Sequence, residues 1–189
     1  MKMNKNILIS FILLVVVASI YRVIPRPVNF APQIAMALFA GAVIKDKLWA
    51  FALPIVSMLL SDLLYQVLYI NGLTNIPGFY EGQWQNYILF ALMTSIGFLI
   101  KKIKVLNVLA AALAAPTIFF ILSNFVVWAG WQGTRGLNRP KTFEGLLLCY
   151  TDALPFYPNS VYACIFFSAV FFGTYVLIRK REGELAISH

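Results

Sequence analysis

The chain has 189 residues, 61% hydrophobic and only 12% charged, against about 25% charged residues in soluble domains. This composition excludes a soluble enzyme: roughly five to seven membrane spans use nearly the whole length, so function must lie in a helical bundle and its loops. The net charge of +8 comes from short Lys and Arg clusters between apolar segments, the pattern of orientation signals rather than of a nucleic-acid partner.

In chain order, hydropathy and helix breakers predict spans near 6–21, 30–44, 48–70, 85–100, 105–129 and 158–179, with a short interfacial helix over 143–153. The fold class is therefore all-α, a single polytopic membrane bundle of six transmembrane helices covering 1–189. The opening "MKMNKNILISFILLVVVAS" has the shape of a secretory signal, but it runs on into "YRVIPRPVNFAP" and reads as a retained first helix. In that second stretch, Pro25, Pro27 and Pro32 dictate a stiff extended loop, with Arg22 and Arg26 flanking "VIP".

The third span contains "MLLSDLLYQ", which sets Asp62 in an apolar run. An acid there costs about 2.5–3.5 kcal/mol on insertion scales and needs a partner, a watery cavity or a function. With a cytoplasmic N-terminus, Lys2, Lys5, Lys45, Lys47, Lys101, Lys102, Lys104, Arg179, Lys180 and Arg181 lie inside. Arg22, Arg26, Arg135, Arg139 and Lys141 lie outside. That split satisfies the positive-inside rule and gives a multi-pass protein of the inner (plasma) membrane with both termini cytoplasmic. Asp62, fifteen residues beyond Lys47, then falls about 22 Å along the helix, in the outer half. Asn29 and Gln33 open the second span at that depth, Asn124 and Trp128 close the fifth, and Tyr157 and Asn159 begin the sixth. Arg22 is the expected cation partner of Asp62, and Asn124 its expected neutral neighbour.

An internal echo links two spans. "ALPIVSMLLSD" in the third and "AAPTIFFILSN" in the fifth both place Ser seven residues after Pro, followed by Asp62 or Asn124. The echo fits a duplicated hairpin as well as a chance recurrence of apolar strings; for Asn124 packing glue weighs as much as function, whereas an intramembrane acid such as Asp62 points to function. The later loop "WQGTRGLNRPKTFEG" reads as turn-rich cover over a cavity mouth, its cations available to acids, to a ligand or to lipid phosphates. In "LLLCYTDALPFYPNSVYA" an amphipathic helix is expected to end at the prolines and present aromatic faces at the rim.

Several enzyme classes lack their parts. His189 is the only histidine and Cys149 and Cys164 have no CxxC spacing, so Ser-His, Cys-His and zinc sites are unsupported, and no P-loop occurs. No metal and no cofactor is expected.

The stretches "RVIPRPVNFAPQIAMALFAGAVIKDK", "PIVSMLLSDLL", "SNFVVW" and "RPKTFEGLLLCYTDALPFYPNS" resemble a family of small bacterial membrane proteins of unknown function. That family is similar to the substrate-binding S components of energy-coupling-factor vitamin transporters. The resemblance implies an outward-facing pocket for a small vitamin-like nutrient, with a separate transmembrane coupling subunit and ATPases as partners beside membrane lipids. The AxxxA docking patch that S components often carry in the first helix is absent from "NILISFILLVVVAS". The expected function is nutrient binding and uptake rather than catalysis, through a pocket of Arg22, Asn29, Gln33, Asp62, Asn124, Trp128, Tyr157 and Asn159. The alternatives are a membrane enzyme acting on a lipid or isoprenoid phosphate at the outer face, with Asp62 as base, and a structural or assembly subunit.

Overall fold

A computed structural model describes residues 5–130 and 139–187. Among them are seven α-helices, one 3-10 turn and no strand: α1 (Lys5–Val23), α2 (Gln33–Val43), α3 (Lys47–Ile70), α4 (Gln83–Gly97), α5 (Val105–Gly130), α6 (Phe143–Ala153) and α7 (Tyr157–Ile187). Local chemistry fixes several of the ends. Asp46 caps α3 by accepting from the Leu48 N–H at 3.0 Å, and Thr142 caps α6 by accepting from the Gly145 N–H at 3.1 Å. The prolines keep residues 24–32 out of helix, and a turn there places Asn29 at φ 64°, a left-handed conformation that Asn tolerates.

Pro54 and Pro116 lie inside α3 and α5 without ending them. The proline-rich stretch after α6 does not end its helix either. Leu154–Phe156 forms a 3-10 turn that carries α6 directly into α7, because Pro155 and Pro158 both sit in first-turn positions, where a missing N–H costs nothing. The expected helix over 143–153 is present, but it is the first part of one helical run and not a separate element stopped by proline.

Three helical runs, Lys47–Ile70, Val105–Gly130 and Phe143–Lys180, are long and apolar enough to cross a membrane. The stretches Ile12–Val23 and Gln33–Val43 are apolar but shorter, and α4 has 15 residues. Of the six expected spans, then, three reach spanning length and composition. Large apolar side chains such as Leu13, Leu63, Leu106, Phe166 and Leu177 are exposed, as suits a hydrocarbon solvent.

Helix α2 is the centre of the bundle and packs on α3, α4, α5 and α7. Its Ala35, Met36, Ala37, Leu38 and Ala40 are completely buried. The close approach to α4 requires glycine on both sides: a Cβ on Gly41 would meet the Gly97 Cα at 2.9 Å and collide with the Thr94 carbonyl. The Ala37/Gly41 pair is thus a small-residue packing face of the membrane-helix type, whereas Ala110 and Ala114 on α5 are exposed. Helix α1 is bound to α3 by Ser19, whose Oγ donates to the Val15 and Ser57 carbonyls at 2.6 and 2.8 Å. Helix α7 is held by rings, with Tyr21 and Phe30 against Phe167 and Phe39 against Phe171 and Phe172, at centroid separations of 5.2 to 5.9 Å.

Candidate functional site

Asp62 is 1% exposed and its carboxylate is fully engaged. One oxygen accepts from the Arg22 Nη1. The other accepts from Gln83 Nε2 at 2.5 Å and from the Tyr87 hydroxyl at 2.7 Å. Arg22 also donates to Ser61 Oγ at 2.5 Å and lies over the Tyr65 ring, while the Tyr65 hydroxyl donates to the Arg22 carbonyl at 2.8 Å. The end of α1, the second half of α3 and the start of α4 therefore meet in one charge-paired knot.

The knot also fixes the connection between α3 and α4. Gln83 donates to the Gly78 carbonyl at 2.9 Å, and the Gln66 side chain accepts from the N–H groups of Gly78 and Phe79 at 3.1 and 3.3 Å. Gly78 presses so closely on the α3 backbone that a Cβ would collide with the Asp62 carbonyl. Any larger residue would lift the loop off α3.

Beside the knot is a cavity of about 1110 Å³, at the end of the bundle where α2 and α4 begin and α1 finishes. Binding sites for small molecules occupy about 300–1,000 Å³, and this volume lies at the upper end of that range. Its walls come from all seven helices, the 24–32 loop and the connection between α3 and α4. Met58, Phe90 and Phe119 give apolar surface; Gln33, Asn86 and Asn124 give amides; Arg26 and Arg139 give cations. Arg139 is paired with Asp152 through two hydrogen bonds of 2.8 Å, and those bonds push the guanidinium further up from its ordinary value.

Gln33 contrasts with Asp62. It is 2% exposed, yet neither its side-chain nitrogen nor its oxygen has a hydrogen-bond partner among the described residues. Leaving a buried donor or acceptor unsatisfied costs about 1–3 kcal/mol, and the centrality of α2 puts even its first residue inside. Arg26 Nε, on another part of the wall, is likewise buried and unpartnered.

Of the eight expected pocket residues, Arg22, Asn29, Gln33, Asp62 and Asn124 line the cavity. Arg22 pairs with Asp62 as expected. Asn124 is not a neighbour of Asp62: its amide nitrogen donates to the Phe120 carbonyl of its own helix at 2.7 Å, because a short side chain in mid-helix reaches its own backbone first. Trp128, Tyr157 and Asn159 are not on the cavity wall. Trp128 donates to the Pro140 carbonyl at 2.8 Å, Tyr157 shares a 2.7 Å hydrogen bond with Thr117, and Asn159 donates to the Val28 carbonyl at 3.0 Å. Each ties elements together at the rim. Trp131 and Arg135, expected over the cavity mouth, lie outside the described residues.

Gln83 and Tyr87 are the partners that sequence reasoning missed. Their signal was "QWQNY" at the head of the fourth span, with two polar side chains four residues apart and hence on one helix face. The echoed segments share a local detail: Ser61 and Ser123 both donate to the carbonyl three residues back, of Met58 and Phe120, at 2.7 and 3.3 Å. Among the described residues, no three His, Cys, Asp or Glu side chains converge where a metal could bind.

The chain belongs to a family of unknown function, DUF6580, whose model matches residues 1–185. No curated protein and no solved structure matches it.

Proposed function

We propose that this DUF6580 member is a membrane-embedded binding protein that takes a small nutrient from the outer side, in the manner of an S component. The observation that supports the reading is the cavity of about 1110 Å³, walled by amides, rings and cations from several helices. In this reading α1, α2 and α4 complete a six-span bundle whose short helices are met by local thinning of the bilayer. Both termini are cytoplasmic, and the cavity opens outward. Coupling subunits and ATPases drive release to the inside.

The rival reading, an enzyme working on a lipid phosphate, requires Asp62 as base and Arg22 in the phosphate clamp. Asp62 is 1% exposed and already accepts from Arg22, Gln83 and Tyr87, which leaves it badly placed to take a proton from a substrate.

Native mass spectrometry of gently extracted protein tests the binding reading. An unmodified small molecule is expected on the native chain and not on Ser123→Trp, which fills the cavity from α5. An adduct insensitive to that change, or no adduct at all, overturns it. Labelling of single cysteines tests orientation: a cysteine replacing Lys141 is expected to react from outside, and one replacing Lys102 only after permeabilisation.

A further inference from the structure

The knot uses only one corner of Arg22. Every hydrogen bond of its guanidinium leaves from Nη1, to Asp62, to Ser61 Oγ at 2.5 Å and to the Met58 carbonyl at 3.5 Å. Nε and Nη2 make none among the described residues, and both keep accessible surface in a side chain that is 19% exposed. Met58, Asp62 and Tyr65 surround the guanidinium and line the cavity, as Arg22 itself does, so the open edge borders that space.

The Nε–Nη2 edge is a planar fork of two donors that matches a carboxylate. Arg139, on the same cavity, shows the match: its Nε and Nη2 donate to the two oxygens of Asp152 at 2.8 Å each. Asp62 does not exhaust the charge of Arg22, because the neutral donors Gln83 and Tyr87 hold its other oxygen. Bonded at Nη1 and laid over the Tyr65 ring, the guanidinium is already ordered before a guest arrives.

The charges of the wall point the same way. Arg22, Arg26 and Arg139 line the cavity against Asp62 and Asp152. Both aspartates are paired, and Arg26 has no ion pair among the described residues, so the wall carries one positive charge in surplus. An uncompensated charge beside an apolar surround favours a counter-ion, and a monoanion balances it without adding an excess of its own. Met58, Phe90 and Phe119 offer apolar surface to the rest of the guest.

Resting on the binding function proposed above, we infer that the ligand is a small amphipathic monocarboxylate whose carboxylate docks on the Nε–Nη2 edge of Arg22. Its apolar body lies along the Met58, Phe90 and Phe119 wall. Asp62 is a positioning residue, which holds Nη1 and so presents the other edge, and Arg26 supplies the surplus charge.

The test measures equilibrium binding to the full-length protein in lipid nanodiscs, with three probes built on one ring system. These are 2-naphthoate, its neutral amide 2-naphthamide, and 2-naphthyl phosphate, largely a dianion at about pH 7.5. Native protein is expected to bind naphthoate about tenfold or more tighter than the amide, and tighter than the phosphate. Arg22→Lys keeps a charge for Asp62 but has no second edge, and Arg22→Met with Asp62→Leu removes the ion pair altogether. Each is expected to cut the ratio of acid to amide affinity to about threefold or less, a ratio that a merely structural loss of sites does not move. Arg26→Gln is expected to weaken both anions and leave naphthoate the tightest of the three. Equal binding of acid and amide by native protein, a ratio that survives either Arg22 variant, tighter binding of the phosphate, or no binding of naphthoate overturns the ligand class. Those results leave the broader binding reading standing if the copurifying adduct is still lost in Ser123→Trp. Failure of that adduct test overturns the parent reading instead.

Discussion

Asp62 and Gln33 occupy one cavity wall and are equally hidden from solvent, but one is satisfied by the protein and the other is not. Asp62 carries the charge that sequence reasoning would send to a ligand, and it is consumed by Arg22, Gln83 and Tyr87. Gln33 is neutral, and it has both hydrogen-bonding atoms to spare. The difference teaches that a buried acid can mark the place where helices are tied together, while a buried amide at a crowded helix end is carried as a cost of packing.

The largest effect expected from breaking the knot is that of Asp62→Ala, which strands the Arg22 guanidinium. The unfolding free energy in nanodiscs should fall by about 3–5 kcal/mol. The double variant Arg22→Met with Asp62→Leu should recover most of that loss, because an apolar pair replaces an ion pair at little cost. Gln33→Met is expected to act in the other direction, raising stability by about 1–2 kcal/mol because it removes a buried amide without a partner. Tyr87→Phe removes one of three donors from Asp62 and should cost about 1 kcal/mol, readable as a lower unfolding temperature with ligand retention unchanged. Asn124→Ala completes the series. Its amide serves only its own helix, so the change should shift stability by less than about 0.5 kcal/mol.

Much of the architecture was legible because membrane helices declare themselves by apolar length. The helices over 47–70 and 105–130 follow the expected bounds almost residue for residue, and the prolines of "RVIPRPVNFAP" do keep that stretch non-helical. The continuity of α6 with α7 was not legible, since Pro155 and Pro158 read as stops unless their place in a first turn is known. At the site, the Arg22–Asp62 pair followed from depth and charge alone. Depth could not supply rotation about the helix axis, however, and rotation is what turns Tyr157 toward Thr117 and Asn124 toward its own backbone. Gln33 was placed in the pocket by depth, but its lack of any partner emerges only when every neighbour of α2 is in position.

The unfolding temperatures of native and Gln33→Met protein, both stripped of bound small molecules and held in the same nanodiscs, test the central claim most directly. Empty Gln33→Met should unfold at the higher temperature, because it no longer carries an unsatisfied amide. If empty native protein is the more stable of the two, Gln33 is already satisfied by the folded protein, and the contrast with Asp62 fails.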